Sequence, residues 1–575
     1  MFGKTKTFLR DLWTLTVPYW RSEERWKSGV LLAVIVAMNL GQVYLNVLFN
    51  SWYNLFYNSL QDRNFDTFVH LLMRFGVLAA IFLVNAVYRL YLRQMLQIRW
   101  RRWLTQRYVG EWLGGQAYYR LQLVGRGTDN PDQRISEDIN GFVGQTLVLS
   151  LGLLDSVVTL ASFASILWGL SGSLAVGGIA VPGYMLWVAV VYAGVGTWLV
   201  HLIGRPLIRL NFQQQQFEAN FRYSLVRLRE NAEGVALYGG EAQEARGLAA
   251  RFANVVENWW GIMRQQKRLT WFSAGYSQIA IIFPLVVAAP RYFSGAIQLG
   301  GLMQIASAFG QVQGALSWFV DAYGSLAEWK ATVDRLIGFE RALIEQTRPA
   351  ADQARRRAVP AGRPVALESV DLLLPDGTTL VAGLTLSLPP GSRTVVVGPS
   401  GCGKSTLFRT ISGLWPYCRG TIDLPSGARL LFLPQKPYLP IAPLRQVVAY
   451  PDPPERHDDE AIRQVLIDCG LGHLADRLDQ ESHWAQQLSP GEQQRLAMAR
   501  AILLKPDWLF LDEATSALDE ASEAVLYRLL VTRLPSAALV SIAHRPEIGT
   551  FHDRLVDFSR LGGLATNRLP EAGRA

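Results

Sequence analysis

The chain has 575 residues, which is too long for one hydrophobic core, so at least two domains are expected. Half of the residues are hydrophobic and only 18% are charged, less than a wholly soluble protein of this size normally carries. The net charge of +9 comes from arginines beside apolar segments, as at membrane spans, so no nucleic-acid partner is predicted. The three cysteines have no CxxC spacing and predict neither a disulfide framework nor a zinc site.

Six apolar segments in the first 340 residues are each close to the ~20 residues needed to cross a bilayer. They follow an N-terminal stretch, residues 1–20, which we interpret as an amphipathic helix at the membrane interface that ends near Pro18. Arginines cluster before the first segment and after the second and fourth, which places the N-terminus and both large loops in the cytoplasm. The segments are residues 28–50, 70–92, 142–170, 180–204, 273–294 and 299–320.

Both cytoplasmic loops are predicted to contain helices that extend well beyond the bilayer. Residues 67–115 contain no proline, and a single helix of that length would measure about 70 Å. Each projecting pair of helices turns at a short segment, residues 128–135, where Pro131 breaks the helix, or the glycine-containing residues 230–241. We interpret these turns as short helices that dock on the second domain; plain solvent-exposed turns are the alternative.

Polar residues recur within the apolar segments, and five amides of the first segment share one helix face. Asp155 lies within the third segment, and Gln304 and Gln311 lie two turns apart in the last one. Because an unsatisfied polar group facing lipid costs several kcal/mol, these side chains must face other helices or water. We favour a water-filled cavity for a hydrophilic solute. Interhelical hydrogen bonding is the alternative, and Asp155 could instead pair with a buried arginine. The five amides are Asn39, Gln42, Asn46, Asn50 and Asn54.

The composition changes after the last apolar segment. Residues 341–363 lose hydrophobic periodicity and gain Ala, Arg and Pro, which predicts a surface linker in which Arg355–Arg357 is a solvated run. From residue 364 short strands alternate with helices, as in a soluble α/β domain. The predicted fold class is therefore a polytopic α-helical membrane domain, residues 1–340, followed by an α/β P-loop nucleotide-binding domain, residues 364–575.

A glycine-rich stretch, GPSGCGKST, has the spacing of a phosphate-binding loop. The β-branched run Thr394–Val397 predicts a buried strand before it, and Leu407–Ile411 predicts a helix after it. The backbone N–H groups and the helix N-terminus would bind a phosphate, with Lys404 on the outer phosphates and Ser405 on Mg²⁺. The predicted ATP-binding residues are Gly398, Pro399, Ser400, Gly401, Cys402, Gly403, Lys404, Ser405 and Thr406.

Further residues that suit ATP hydrolysis follow along the chain. The apolar strand Trp508–Glu513 ends in two carboxylates, of which Asp512 would hold Mg²⁺ through water and Glu513 would act as general base. Gln435 lies in the loop after a strand and can reach the metal or the attacking water. His544, which also follows a strand, can reach the γ-phosphate.

The segment Leu488–Arg495, LSPGEQQR, predicts a helix start whose N-terminus can bind a phosphate. Ser489 is the expected N-cap, Pro490 the first helical residue and Glu492 the partner in a capping box. Ser516–Asp519, SALD, follows the second carboxylate. An unrelated chain has a negligible chance of carrying all these motifs in this order.

With these motifs in order, the chain resembles the ATP-binding cassette family over its whole length. The resemblance implies that GPSGCGKST is the Walker A loop, LFLDE the Walker B strand, LSPGE the signature and SALD, with Asp519, the D-loop. It also implies a homodimeric half-transporter in a bacterial inner membrane, with a cytoplasmic cassette that uses ATP and Mg²⁺. In such a dimer, ATP bound to one subunit is capped by Ser489 and Gly491 of the other.

Several stretches are similar to the subfamily that includes peroxisomal fatty-acyl-CoA transporters, among them GCGKSTLFRTISGLWP and LPQKPYLP. Trp100–Gln122 most resembles bacterial transporters whose membrane domain is like the SbmA/BacA peptide-uptake permeases. That group implies import of large hydrophilic solutes, such as cobalamin, bleomycin or antimicrobial peptides, through six spans with an exporter-like fold. An exporter or flippase of lipids or acyl-CoA, and an ATP-gated channel-like pathway, are the alternatives.

Two departures from the family pattern bear on the ATP site. The signature has Pro490 where most of the family has glycine and Glu492 where it has glutamine, and ATPase activity is still expected because the first helical turn does not need that N–H. The aromatic residue that usually stacks on adenine would fall near Leu374, where there is no Tyr or Phe. Adenine stacking is therefore expected to be weaker or to come from elsewhere.

Overall fold

The structure is a computed structural model that describes residues 2–124, 130–176, 179–347, 354–543 and 545–558. Its contacts divide the chain into two compact units. The first unit is helical and comprises residues 1–110 and 129–341. The second unit comprises residues 111–128 and 342–575, and its strands alternate with helices.

Ten helices precede residue 348 in the described part of the chain, because long apolar and basic stretches there lack turn residues. A short hairpin, β1 (Ser173–Val176) and β2 (Ile179–Pro182), separates two of them. The helices are α1 (Phe2–Trp20), α2 (Arg25–Gln61), α3 (Phe65–Leu113), α4 (Ala117–Val124), α5 (Pro131–Gln133), α6 (Ile139–Ser171), α7 (Tyr184–Glu230), α8 (Ala232–Tyr238), α9 (Glu241–Phe293) and α10 (Leu299–Thr347).

Five helical stretches among the described residues are long and apolar enough to cross a membrane. The sixth predicted span, residues 299–320, lies within α10, which is not one of the five, so six spans remain a prediction. The five stretches are Arg25–Gln61, Phe65–Leu123, Pro131–Ser171, Tyr184–Glu230 and Glu241–Phe293.

The N-terminal helix α1 contains Pro18 and ends two residues later, at Trp20. Tyr19 is fully buried at this end. Its ring stacks on Trp100 with 5.4 Å between ring centroids, and its hydroxyl lies 2.5 Å from Ser28 Oγ. The helix therefore ends where an aromatic contact and a polar contact hold it against the long helices.

The long projecting helices and their turns largely follow the prediction. The single helix expected over residues 67–115 is confirmed as α3, which has 49 residues. The second turn is confirmed as a short helix, α8. At the first turn Pro131 is the first residue of α5, which continues through a π-helical stretch, Arg134–Asp138, into α6. Thr128 and Asp129 lie outside the described residues.

The second unit contains two larger sheets. A five-stranded parallel sheet has the order β13-β6-β12-β11-β8, and a four-stranded sheet has the order β3-β7-β4-β5. The strands are β3 (Arg355–Val359), β4 (Val365–Leu373), β5 (Thr379–Leu388), β6 (Arg393–Val397), β7 (Cys418–Pro425), β8 (Leu430–Leu433), β9 (Ala442–Pro443), β10 (Glu481–Ser482), β11 (Trp508–Asp512), β12 (Ala538–Ile542) and β13 (Arg554–Asp557).

The parallel sheet has apolar strands because helices cover it, and all five residues of β12 are buried. Leucine and alanine side chains of α15 belong to the same hydrophobic cluster as β11, which holds that helix on the sheet. The helices of this unit after residue 400 are α11 (Lys404–Ser412), α12 (Leu444–Ala449), α13 (Asp459–Asp468), α14 (Trp484–Gln487), α15 (Pro490–Leu504) and α16 (Glu520–Arg533).

Within the predicted linker, Arg355–Arg357 are exposed, as expected of a solvated run, but they begin β3, which pairs in parallel with β7. The guanidinium of Arg357 forms two hydrogen bonds with the carboxylate of Asp423, at 2.7 and 2.6 Å. Arg356 donates a hydrogen bond to the carbonyl oxygen of Ile411. Partners distant in sequence therefore order this basic stretch.

Candidate functional site

The phosphate-binding loop lies between β6 and α11, which confirms the predicted strand–loop–helix order. β6 lies between β12 and β13 in the parallel sheet, so the loop starts at the carboxyl edge of a central strand. Gly401 and Gly403 have φ values of 80° and 104°, a conformation that glycine adopts readily. A Cβ atom on Gly403 would also lie 3.0 Å from Leu380 Cδ2, so a side chain there would require Leu380 to shift.

Lys404 is the first residue of α11, and its side chain bonds back to the phosphate-binding loop. Its side chain is buried, and Nζ donates hydrogen bonds to the carbonyl oxygens of Gly398 and Pro399, both at 2.8 Å. The ammonium group is therefore held among backbone groups at the N-terminus of a helix, where negative charge is favoured. This arrangement suits the binding of a phosphate chain.

Ser405 and Asp512 meet across the site. Ser405 Oγ donates to Asp512 Oδ1 at 2.9 Å, and Asp512 is the last residue of β11. Burial raises the pKa of the Asp512 carboxyl above its usual range, and the hydrogen bond from Ser405 opposes that shift. A hydroxyl and a carboxylate oxygen are the ligands that Mg²⁺ prefers, so these two side chains fit a magnesium ion.

Glu513 follows β11 in a conformation that is rare for a residue with a side chain, with φ of 51°. Such strained positions cluster at functional sites. Its Oε2 atom accepts a hydrogen bond from Nε2 of Gln435 at 3.1 Å. The structure thus brings together two of the three predicted catalytic side chains, and the third, His544, lies outside the described residues. Its neighbour Arg545 donates to the carbonyl oxygen of Leu518 at 3.0 Å, which ties this segment to the SALD loop.

The predicted capping box at the start of α15 is confirmed. Ser489 Oγ accepts from the N–H of Glu492 at 3.3 Å, and the Glu492 carboxylate accepts from the N–H of Ser489 at 2.9 Å. That backbone hydrogen bond lowers the pKa of Glu492. Pro490 occupies the first helical position, as predicted, so its missing N–H removes no helical hydrogen bond.

The SALD loop lies beside this helix start. A Cβ atom on Gly491 would be 3.2 Å from Leu518 Cδ2, so glycine allows the two segments to approach closely. Asp519 is the N-cap of α16 and accepts from the N–H of Ser522 at 2.8 Å, which lowers its pKa. Asp519 therefore has a local structural role in this chain.

Gln494, which was not predicted as a functional residue from the sequence, lies at the centre of these loops. Its side chain is only 3% exposed. Nε2 donates to the carbonyl oxygen of Gln435 at 3.0 Å and to Ser516 Oγ at 3.3 Å, and Oε1 accepts from the N–H of Ala517 at 2.9 Å. A buried amide within a recognised motif is the sequence signal that could have identified it.

The position expected for adenine stacking lies in the turn between β4 and β5, where Leu374 accepts from the N–H of Gly377 and donates to the carbonyl oxygen of Thr378. Two aromatic residues from the segment after α11 lie beside this turn. Trp415 Nε1 donates to the carbonyl oxygen of Leu373 at 2.9 Å. The N–H of Leu373 donates to the carbonyl oxygen of Tyr417, also at 2.9 Å. The indole of Trp415 is therefore close in space to a position where the sequence has no aromatic residue.

The polar stripe of α2 makes hydrogen bonds to other helices. Asn50 Nδ2 donates to the carbonyl oxygen of Gln304 at 3.0 Å, and Gln42 Oε1 accepts from Asn85 Nδ2 at 2.8 Å. Gln42 and Asn50 are both buried. These contacts are the interhelical hydrogen bonding that the sequence leaves open as the alternative to a cavity.

The remaining predicted cavity residues fall into two groups. Asn39 and Asp155 line one cavity of about 420 Å³ together with Arg89. Asn46 and Gln311 are half-buried and form no side-chain hydrogen bond with the described residues. The structure therefore brings together two of the eight predicted side chains at a cavity and joins Gln304 to Asn50 and to Asn54 by hydrogen bonds.

Comparisons with known proteins identify the family. The model of ABC transporter transmembrane region 2 matches residues 12–293, and that of the ABC transporter family matches residues 381–516. The chain is 36% identical over 553 residues to the inner membrane ABC transporter ATP-binding protein YddA of Escherichia coli, covering 95% of this chain and 96% of that protein. The chain belongs to the ABC transporter family.

Two further similarities refine this assignment. This ABC transporter is 27% identical over 592 residues to the lysosomal cobalamin transporter ABCD4 of Mus musculus, covering 96% of this chain and 94% of that protein. It shares its fold with a bacterial Atm1-family ABC exporter solved with ATP bound, with a TM-score of 0.73, 18% identity and coverage of 94% and 95% of the two chains. The predicted fold class is confirmed: a helical membrane domain precedes a P-loop nucleotide-binding domain.

The same findings give the activity of this ABC transporter in outline. It is an ABCD-type half-transporter that binds ATP, and it is an ATPase coupled to transport across the bacterial inner membrane. The geometry described above shows which of its side chains meet at the nucleotide site.

Proposed function

We propose that this ABC transporter works as a homodimer that imports a large hydrophilic solute, with cobalamin as the first candidate and bleomycin or a peptide as others. The observation that carries the proposal is the cavity between apolar helices, which Asn39, Arg89 and Asp155 line with polar and charged groups. Ionisable side chains at membrane depth are costly and mark solute pathways. Similarity to a lysosomal cobalamin transporter supports cobalamin as the candidate.

The proposed roles at the nucleotide site follow from the contacts of each side chain. Lys404 binds the outer phosphates of ATP, with the backbone N–H groups of the loop from Gly398 to Thr406 around them. Ser405 and Asp512 hold Mg²⁺, which when bound neutralises negative charge on the phosphates. Their 2.9 Å contact supports this assignment.

Proton transfer is proposed for the pair at the end of β11. Glu513 takes the proton of the attacking water as general base, and Gln435 orients that water and the Glu513 carboxylate. His544, which lies outside the described residues, is proposed from the sequence to reach the γ-phosphate. In the homodimer, Ser489 and Gly491 of a second copy cap the nucleotide, and the N-terminus of α15 adds partial positive charge there.

A second candidate, an exporter or flippase of lipids or acyl-CoA, is favoured by an apolar groove of about 520 Å³ between α7 and α9. Its lining includes Trp187, Tyr192, Tyr276 and Phe283. An acyl chain would fit such a surface, whereas a hydrophilic solute would not.

Transport in proteoliposomes distinguishes these functions. ATP added outside the vesicles drives only those transporters whose ATP-binding domain faces outward. For these transporters, the vesicle interior corresponds to the side of the membrane opposite the cytoplasm. An importer should expel preloaded cobalamin or labelled hydrophilic peptide upon ATP addition, and an exporter should accumulate a labelled lipid or solute. ATP-driven accumulation of a lipid analogue, with no release of either hydrophilic solute, would contradict the proposed function. Leakage of small solutes from the vesicles would indicate the ATP-gated, channel-like alternative.

The turn at residues 230–241 is proposed to couple ATP hydrolysis to transport. Its helix α8 ends in two large apolar side chains, Leu237 and Tyr238, which are 80% and 92% exposed. Burying such side chains in a contact is worth about 1.5–3 kcal/mol each. Replacing both by Ala should therefore reduce solute transport about tenfold or more while basal ATPase activity stays within about twofold.

The matched control is Leu555→Ala, because Leu555 is also a strongly exposed leucine, on β13. It should leave transport and ATPase activity unchanged. If the α8 variant also transports normally, this helix is an ordinary solvent-exposed turn.

A further inference from the structure

One cavity of the helical unit combines charge with an aromatic wall. It has a volume of about 420 Å³ and is formed by side chains from four helices, α2, α3, α6 and α10. We call it the Arg89 cavity. Asn39, Arg89 and Asp155 lie within the apolar segments 28–50, 70–92 and 142–170, so the cavity lies at the depth of the predicted spans. Its defining residues are Asn39, Arg89, Arg93, Gly152, Asp155 and Trp318.

The charges of the Arg89 cavity do not balance. Two guanidinium groups, of Arg89 and Arg93, face one carboxylate, that of Asp155, and a guanidinium stays charged at every physiological pH. Arg89 Nη1 donates to Asn39 Oδ1 at 3.0 Å. Among the described residues, neither arginine has a nitrogen within 4.0 Å of a carboxylate oxygen, and Arg93 forms no side-chain hydrogen bond. The cavity therefore has an excess positive charge and spare hydrogen-bond donors.

One wall of the cavity is a flat aromatic surface. A Cβ atom built on Gly152 would lie 2.9 Å from Trp318 Nε1 and 3.1 Å from two carbons of the ring, so the indole packs directly on the backbone of α6. Glycine is the residue that allows this contact. A planar group that enters the cavity can stack on the indole while its charged end reaches the arginines.

We propose that the Arg89 cavity is a subsite that binds one anionic group, a carboxylate or a phosphate, of the transported solute. This inference rests on the proposed function in that it names the chemistry that the solute must carry. Arg89 and Arg93 would each offer paired N–H donors to the two oxygens of the anion. Because the Asp155 carboxylate compensates one of the two guanidinium groups, one further negative charge would neutralise the cavity. A cavity of this volume holds one part of a large solute and not the whole molecule.

The test uses benzoate and benzamide, which have the same shape and differ in charge. The full-length transporter is placed in nanodiscs of zwitterionic lipid with ATP present to occupy the phosphate loop, and ligand binding is measured by calorimetry or ligand-observed NMR. Benzoate should bind and benzamide should bind at least about tenfold more weakly, because hydrogen bonds to charged groups contribute about 1.5–3 kcal/mol. Equal affinity for the two probes, or no binding of benzoate, would overturn the proposal.

Variants locate the binding site. Arg93→Gln should weaken benzoate binding at least about tenfold and leave benzamide unchanged. Arg93→Lys keeps the charge and loses the paired donors. Its affinity for benzoate should therefore lie between those of Arg93→Gln and the wild type. Gly152→Ala should weaken both probes, because its methyl group displaces Trp318. Arg74→Gln is the matched control, since Arg74 is an exposed arginine of the same helix. The thermal unfolding midpoint, measured in the same nanodiscs, reports whether each of the four variants is folded.

Two outcomes distinguish this proposal from a lipid-headgroup site and from the proposed transport function. If nanodiscs that contain phosphatidylglycerol weaken benzoate binding in the wild type but not in Arg93→Gln, the anion is a lipid headgroup, which overturns the solute assignment. The transport assay is independent of these measurements. Arg93-dependent benzoate binding without ATP-driven release of any hydrophilic solute would refute the proposed function and leave the anion site in place.

Discussion

Replacing Glu513 by Gln is expected to leave ATP binding intact and to reduce ATP hydrolysis by at least about 100-fold, the usual contribution of a general base. Glutamine has the same length and can still accept the hydrogen bond from Gln435 Nε2, so the site should keep its shape. The amide cannot take a proton from water. Steady-state ATPase rates at saturating ATP and the Kd for ATP, measured in nanodiscs, test both parts of this prediction.

Glu520→Gln provides the control for the same chemical change. Glu520 is exposed in the first turn of α16, and we expect near wild-type hydrolysis from this variant. Turnover by Glu513→Gln within about tenfold of the wild type would mean that another group accepts the proton. The general-base assignment would then be wrong, although the ATP-binding role of the loop from Gly398 to Thr406 would be unaffected.

The nucleotide-binding core could be predicted in detail because its determinants are local. The β-branched run Thr394–Val397, the glycines after it and the amphipathic helix α11 follow one another in sequence, so their conformations can be inferred without distant partners. The capping box of α15 is likewise contained in four residues, Ser489–Glu492. The length of α3 could likewise be predicted from local sequence, because residues 67–115 contain no proline.

Features that depend on distant partners were not predictable in the same way. Arg355–Arg357 has the composition of a solvated linker and forms a strand because β7 pairs with it and Asp423 accepts its hydrogen bonds. The amides of α2 show a polar face, but sequence periodicity cannot tell whether that face meets water or Gln304. Propensity and periodicity describe a segment, whereas tertiary contacts decide between its alternatives.

Gln494 is the second position where a large effect on hydrolysis is expected. Its amide joins α15 to two loops: the loop that carries Gln435, and the loop of Ser516 and Ala517, which follows Glu513. It does not contact Lys404 or the other residues of the phosphate-binding loop in the described hydrogen bonds. Gln494 therefore acts as a positioning residue for the Gln435–Glu513 pair and not for the bound phosphates.

The variant Gln494→Leu should reduce kcat at least about tenfold and change the KM for ATP by less than about threefold. Leucine leaves the N–H of Ala517 and the carbonyl of Gln435 without their partner, and each unsatisfied buried group costs about 1–3 kcal/mol. The two loops should then move relative to Glu513. Steady-state ATPase kinetics measured well below the thermal unfolding midpoint give the two constants separately.

Gln493→Leu separates this positioning role from plain loss of stability. Gln493 is the adjacent buried amide of α15, and its Nε2 donates to the carbonyl oxygens of Ala485 and Leu488, both at 2.9 Å. Both substitutions remove hydrogen bonds from the same helix and should lower the thermal unfolding midpoint. Only Gln494→Leu should lower kcat in the folded protein, because only Gln494 reaches the loops beside Glu513. An equal loss of kcat in the two variants would show that α15 as a whole, and not the amide of Gln494, sets the geometry of the hydrolytic pair.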